Sequence, residues 1–401
     1  MREIIFLCGY FDSVNTPFVE KHAKKSVEYS SNAYQKKLIN GLADSGERFG
    51  IISAPFIGSY PTHSKVRRFG GFSNNYERIT YVSFNNLWGY RNISRARSLK
   101  KALSCALKDS NADEILILVY AVHEPFLEAA DYAKGRDKRV KICLIAPDLP
   151  QYMNLSNDQG FLYHFAKKID IKRIRRHMRS TDSFVLLTEQ MKDALEVGNR
   201  PYIVVEGIID ADFNKAKTRV QTRKITYTGK LYEIFGVKTL IDAFKEIPDP
   251  DIRLVICGTG DCDKYVEDAA KEDSRIEFLG QLTHSEARRI QSESAVLVNP
   301  RYSDDEYTKY SFPSKNLEYL STGAAVVAYL LPGMPSCYEE FLFCVRWGKY
   351  ERDALRDTLV AALEAPSAEI EAKHKAFLDH ALDSLTPKRI VEKIASLNFN
   401  S

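Results

Sequence analysis

Residues 295–331 read AVLVNPRYSDDEYTKYSFPSKNLEYLSTGAAVVAYLL. Two apolar runs of strand length, Ala295–Pro300 and Ala324–Leu330, bracket a segment in which Leu317 and Leu320 recur at helical spacing behind Pro313 and Ser314, residues suited to a helix start. A strand, a helix and a second strand in so short a span make a crossover of the kind that joins parallel strands. The expected class is α/β.

The same alternation extends in both directions. Upstream in the second half, strands are expected at Ile225–Gly229, Arg253–Gly258 and Arg275–Gly280, with a short one at Phe343–Trp347. The first half repeats the pattern, with strands at Ile4–Gly9, Gly50–Ser53, Ile79–Ser83, Glu114–Tyr120, Val140–Ala146, Ser183–Thr188 and Tyr202–Gly207. Helical periods fall between them at Ser31–Ser45, Ser94–Ser110 and Phe161–Ser180. The polar stretch Ala211–Lys224 has no period and reads as a linker. A chain of 401 residues exceeds one ordinary core. The expectation is two Rossmann-like, doubly wound domains, residues 1–210 and 211–384, facing a central cleft, with a last helix in residues 385–401 packing back on the first domain.

With 44% hydrophobic and 27% charged residues the composition is that of a globular chain and excludes fibrous and disordered classes. The first apolar run is too short for a membrane span and no cleavage pattern follows it, so the expected location is cytoplasmic. Seven scattered cysteines without a CxxC pair suit reduced thiols rather than a metal or disulfide framework. Net charge is +8 through residue 210 and −4 beyond it. The total of +4 is mild for a nucleic-acid binder, and no nucleic-acid motif is present. The basic charge concentrates in KKIDIKRIRRHMR, where Lys167, Lys168, Lys172, Arg173, Arg175, Arg176, His177 and Arg179 share one helix with Ile171, Ile174 and Met178. Such a helix can lie on an anionic membrane surface or simply be a solvated face.

In doubly wound sheets ligands bind beyond the carboxyl ends of strands, which directs attention to residues just after them. Ser314 and Lys315 stand at an expected helix N-terminus, where free N–H groups and an ammonium attract phosphate. Glu318, one turn on, shares their face, and its carboxylate can accept from two adjacent hydroxyls such as a ribose offers. Spacing alone leaves an ordinary capped surface helix equally open. Gly229-Lys230 and Gly258-Thr259-Gly260 also follow strands, each a weak phosphate signal by itself. In the first half Gly9, His123 and Asp148 occupy corresponding edges, with tight turns and loop packing as the alternatives. The acidic Asp261-Cys262-Asp263 has the spelling of a metal-binding DxD, but it opens a helix after a Gly-rich loop, where acidic capping is ordinary. Asp304, Asp305 and Glu306 form a second acidic group in a loop. No metal site is expected.

The second half, from ITYTGKLYEIFGVKTLIDAF through RLVICGTG, IEFLGQLTHSEA and LVNPRY to FPSKNLEYLSTGAAVVAYLLPGMP, resembles the donor domain of group 1 glycosyltransferases of the GT-B fold. The FPSK…EYLSTG form is similar to bacterial enzymes of capsule, exopolysaccharide and O-antigen assembly. The resemblance implies that Lys230 binds a donor diphosphate, that Glu318 holds the nucleotide ribose and that the backbone at Gln281-Leu282 meets the base. It also implies a departure, since Tyr310 stands where the family has a sugar-contacting glutamate. A second diphosphate lysine is replaced by Phe235, and Lys315 is the nearby cation available to substitute. In the first half His123-Glu124-Pro125 is similar to a His-Glu-Pro whose histidine reaches the transferred sugar.

The implied activity is metal-independent hexosyl transfer with retention, from a nucleoside diphosphate sugar, UDP-linked by expectation, to a glycan or lipid-linked acceptor in surface polysaccharide synthesis, without a cofactor. A nucleotide-sugar epimerase, or a non-catalytic partner that binds nucleotide or glycan, remains the alternative. Tyr310 keeps the latter open.

Overall fold

The computed structural model describes residues 1–24, 27–70, 72, 78–149, 161–209, 223–301, 306–346 and 351–399, with side chains from 169 onward in the segment that starts at 161. The polar stretch 211–222, Asp304, Asp305, Trp347 and the side chains of Lys167 and Lys168 lie outside the described residues. The chain divides into two compact units, residues 1–208 with 386–401, and residues 209–385.

Unit 1 contains strands β1 (Arg2–Cys8), β2 (Phe49–Ser53), β3 (Arg68–Phe69), β4 (Ile79–Tyr81), β5 (Phe84–Asn85), β6 (Glu114–Tyr120), β7 (Val140–Ala146), β8 (Ser183–Leu186) and β9 (Tyr202–Val204). Seven of them form one sheet in the order β4-β2-β1-β6-β7-β8-β9, parallel throughout. The short β3 and β5 make a separate antiparallel pair. Central strands such as β6 are covered on both faces, which is why they read as unbroken apolar runs rather than as alternations. Six helices accompany the strands: α1 (Thr16–His22), α2 (Tyr29–Asp44), α3 (Arg91–Asp109), α4 (Glu124–Lys134), α5 (Phe161–Met178) and α6 (Met191–Ala194).

Unit 2 repeats the plan with β10 (Lys224–Thr228), β11 (Arg253–Cys257), β12 (Ile276–Gly280), β13 (Val296–Asn299), β14 (Ala325–Tyr329) and β15 (Phe343–Val345), in the order β12-β11-β10-β13-β14-β15. Its helices are α7 (Val237–Lys245), α8 (Asp263–Glu272), α9 (His284–Ser292), α10 (Ser314–Leu320), α11 (Tyr338–Phe341), α12 (Glu351–Glu364) and α13 (Ser367–Ser384). In both sheets the strand order reverses beside the first strand, at β1/β6 and at β10/β13. These are the switch points where a doubly wound sheet opens a crevice for ligands.

The last helix, α14 (Pro387–Phe399), belongs to unit 1. Its apolar face, Ile390, Val391, Ile394 and Phe399, joins the core formed by β1, β6 and α2 residues such as Phe6, Leu118 and Leu38. Its C-terminal end is tied to the sheet by Lys141 Nζ donating to the Asn398 carbonyl at 2.7 Å and Ser183 Oγ to Asn398 Oδ1 at 2.6 Å.

Candidate functional site

In unit 2 the loops after β10 and β11 are stitched together by their backbones. Leu231 N donates to Thr259 O at 3.0 Å and Cys262 N to Leu231 O at 2.9 Å. The contact is close enough to require glycine: a Cβ on Gly258, which has φ +142°, would lie 1.7 Å from the Gly229 carbonyl oxygen. The turn at Gly229-Lys230 is thereby fixed, with Tyr227 Oη donating to Lys230 O at 2.8 Å. The Lys230 side chain is exposed, and its ammonium stands 5.8 Å from the centre of the Tyr232 ring.

Glu318 lies on α10, half-buried. Its Oε2 meets Lys315 Nζ at 2.8 Å and its Oε1 accepts from Gln291 Nε2 at 2.7 Å. Burial alone would raise this carboxyl, but the charge and hydrogen bond of Lys315, with the Gln291 donor, hold it below its ordinary value. Gln291, on α9 and fully buried, also donates to Thr228 Oγ1 at 2.8 Å, and the Tyr319 hydroxyl accepts from Thr228 N at 2.9 Å. Glu318 is therefore braced against the end of β10 through one amide.

Lys230, Lys315 and Glu318 thus belong to elements at the carboxyl end of the sheet, and Gly258 shapes the adjoining loop. Ser314 opens α10 as expected, with Pro313 in the cap position and no side-chain cap hydrogen bond. With only seven residues, α10 offers a weak dipole, so positive charge here comes from side chains. Lys315 is engaged with Glu318. Gln281 and Leu282 follow Gly280 at the end of β12; Leu282 packs on Val255, Cys257 and Ile290, and Gln281 is exposed. Tyr310 ends a 3-10 turn, Glu306–Tyr310.

The acidic triplet serves the loop. Asp263 accepts from Gly260 N at 2.7 Å and Thr259 Oγ1 at 2.6 Å, and Asp261 accepts from Glu233 N at 3.1 Å. Two residues without a role in the sequence reading matter here. Gln291 acts across 27 and 63 residues of chain, a separation that leaves no local signal. Arg301 stands just beyond β13.

In unit 1, Gly9 follows β1 and His123 follows β6, flanking that sheet's switch point. Gly9 N donates to Gln35 Oε1 at 2.8 Å, and a Cβ there would lie 2.5 Å from the Phe56 ring. His123 occupies the cap position of α4 and packs between Phe56 and Phe126, ring centres at 5.7 and 5.6 Å. Burial, with the nearby charges of Arg95 and Arg91, pushes its imidazole down to about 3, so the ring is neutral at physiological pH. Its Nδ1 is buried without a protein partner among the described residues. Asp148 is exposed by area yet its carboxyl is hemmed in, which raises it to about 6, with Glu28 adding repulsion.

Donor atoms of Glu124, Glu128 and His177 lie within 4.8 Å of one another, on the wall of a cavity of about 480 Å³ that Arg97, Lys100, Arg173 and Arg176 also line. Lys100 is paired with Glu128, Arg173 stands 4.0 Å from Glu124, and His177 Nδ1 is 2.7 Å from Asp131 Oδ2. The carboxylates already have cations, and an added metal ion would meet two more, Arg97 and Arg176; the cluster is an ion-pair network joining α3, α4 and α5. The basic helix is thereby corrected in two respects. It ends at Met178, leaving Arg179 beyond it, and Ile174 and Met178 are buried in the core, while among its described side chains Ile169 is exposed beside Lys172, Arg173, Arg175 and Arg176.

Residues 222–363 match the family model described as Glycosyl transferases group 1. No curated protein matches the chain. Among solved structures, HepE from Anabaena in complex with UDP superposes with a TM-score of 0.61 at 13% identity, covering 98% of this chain and 99% of that one. A UDP-forming α,α-trehalose-phosphate synthase from Burkholderia xenovorans, in complex with glucose-6-phosphate, gives 0.62 at 10% identity over 99% and 100%. The lipopolysaccharide outer core galactosyltransferase WaaB gives 0.59 at 13% over 98% of this chain and 99% of that one. The fold is GT-B, and the second unit carries the group 1 glycosyl transferase pattern.

Proposed function

We propose that the chain transfers a sugar from a nucleoside diphosphate sugar, with UDP the favoured carrier, to a glycan or lipid-linked acceptor of a surface polysaccharide. The observation that carries this reading is the ionised, braced Glu318 carboxylate at the carboxyl end of a Rossmann-like sheet, on the same edge as the exposed Lys230. A carboxylate held this way suits the two hydroxyls of a ribose, and an ammonium at a strand end suits a phosphate. The UDP bound in the Anabaena neighbour supports the choice of nucleotide.

In the proposed reaction the diphosphate leaves and takes up negative charge, which Lys230 stabilises in the transition state without a metal ion. His123, neutral and with one ring nitrogen unused, hydrogen-bonds the transferred sugar. Attack on the same face as departure, assisted by the leaving phosphate, gives retention. No side chain in the site presents itself as a covalent nucleophile. The exposed cations of α5 suit electrostatic adhesion to an anionic membrane, an arm that co-sedimentation with phosphatidylglycerol vesicles at rising salt tests.

Calorimetric titration with UDP in the presence of EDTA tests the core of the reading. Binding is expected, and Lys230→Ala should weaken it about tenfold or more while sparing uridine. Absence of UDP binding in the wild-type chain, or equal loss of uridine and UDP in the variant, sinks the assignment. Screening UDP-sugars for slow hydrolysis then names the donor.

A further inference from the structure

The switch point of the second sheet lies between the ends of β10 and β13. β10 delivers Lys230 to that edge, and β13 delivers Arg301. The turn that follows Lys230 packs directly against the backbone before Arg301: Gly236 has φ +77°, and a Cβ there would lie 1.9 Å from the Pro300 carbonyl oxygen. This apposition brings Phe235 of the turn close to the guanidinium, and Tyr307, from the 3-10 turn after β13, is close as well. The Arg301 Cζ is 5.6 Å from the centre of the Phe235 ring and 5.1 Å from that of Tyr307. Rings and cations form a row, since Phe235 is 5.8 Å from Tyr232, which in turn carries the Lys230 ammonium.

The donors of this arginine are underused. Among the described residues Nη2 reaches Ser311 Oγ at 3.1 Å, while the buried Nε has no acceptor and the buried Tyr307 hydroxyl has no partner. Among the described residues neither Arg301 nor Lys230 meets a carboxylate in an ion pair. The other cation nearby, Lys315, is held by Glu318. A guanidinium flanked by two rings, with spare N–H groups in the planar fork of its own chemistry, fits the paired oxygens of a phosphate better than an ammonium does.

We propose that Arg301 is a phosphate-binding residue of the donor site, gripping the nucleotide diphosphate together with Lys230 while Phe235 and Tyr307 flank its guanidinium. The assignment rests on the nucleotide-sugar reading and adds to it a contact that replaces cation for cation what the turn at Phe235 lacks.

The test is titration of the full chain with UDP, GDP and ADP, then with the nucleoside of whichever diphosphate binds most tightly. Arg301→Gln, which keeps a donor toward Ser311, and Arg301→Ala should each weaken the diphosphate about tenfold or more and leave the nucleoside unchanged. Arg301→Lys should recover part of the loss, because it restores charge without the fork. Adding Phe235→Lys to Arg301→Ala should also recover affinity, since it returns a cation to the same place. Circular dichroism and melting curves confirm that each variant is folded. Diphosphate affinity equal to wild type in folded Arg301→Gln, or an equal loss for diphosphate and nucleoside, overturns the proposal and leaves the donor reading standing. If the wild-type chain binds none of the three diphosphates, the donor reading itself falls and takes this one with it.

Discussion

The amide of Gln291 donates to Glu318 Oε1 at 2.7 Å, and the same nitrogen donates to Thr228 Oγ1 at 2.8 Å, so one buried side chain ties the carboxylate of α10 to the end of β10. Its own Oε1 is buried without a partner among the described residues, which leaves the amide nitrogen as the group that ties these two oxygens. Gln291→Met fills a similar volume but removes both bonds. Loss of a charge-assisted bond to a part-buried carboxylate costs about 1.5–3 kcal/mol, so UDP affinity is expected to fall roughly tenfold or more. Glu318→Ala should fall at least as far. Titration calorimetry of both variants checks the order, and a Gln291→Met protein that binds UDP as tightly as wild type would show that Lys315 alone orients Glu318.

The charge state of Glu318 gives this contact a pH signature. Its folded-state value is lowered from 4.5, so the ionised form is favoured by the fold. The resulting stabilisation is fully present above about pH 4.5 and is lost as pH falls through the folded value. The difference in melting temperature between wild type and Glu318→Gln should therefore be constant from pH 8 to about pH 5.5 and shrink below pH 4.5. A difference that grows on acidification contradicts the ion pair with Lys315.

The loop contact that fixes Lys230 can be tested through its glycine. Gly258→Ala combines a backbone angle unsuited to alanine with a Cβ placed 1.7 Å from the Gly229 oxygen. Strain and overpacking together should cost at least about 3 kcal/mol in a denaturant or thermal melt. Gly280 is the control: its φ is +64°, but nothing lies within 4 Å of a Cβ there, so Gly280→Ala should cost only about 1–2 kcal/mol. Equal losses at the two positions would mean that backbone angle, not the approach of the two loops, decides.

What the sequence revealed follows from the range of the interactions. Strands such as Glu114–Tyr120 and Val140–Ala146 appear as apolar runs because burial on both faces writes itself locally, and they end where expected. The α/β class follows from that alternation, and GT-B is what the resemblance carried by the ordered motifs of the second half implies. The pair Arg68–Phe69 and Phe84–Asn85 is too short to carry a period, and its partners are separated by a loop, so it left no trace. Helix α1, of seven residues, was lost for the same reason. At the site, Lys230 is visible because a Gly-Lys at a strand end is a local feature. Gln291 and Arg301 gain their roles only when α9, β10 and β13 are brought together. The basic helix shows the same limit: its charges are plain in the sequence, but the burial of Ile174 and Met178 is decided by tertiary packing.

His123 offers a test of chemistry apart from nucleotide binding. Its ring is neutral, its Nδ1 has no partner among the described residues, and it sits in unit 1, whereas the residues assigned to the nucleotide all belong to unit 2. A neutral imidazole can give or accept a hydrogen bond without disturbing the charge balance around a leaving diphosphate. His123→Asn keeps a polar group of smaller reach, while His123→Ala removes it and opens space beside Phe56 and Phe126. Both should bind UDP as wild type does. Turnover of the donor identified by screening should fall about a hundredfold in His123→Ala, the scale of one lost transition-state hydrogen bond, and less in His123→Asn. Melting curves separate this from packing, because the cavity lowers stability in the alanine variant without explaining a loss of turnover well below the melting temperature. Full turnover in a folded His123→Ala protein would return the residue to the role of a packed helix cap.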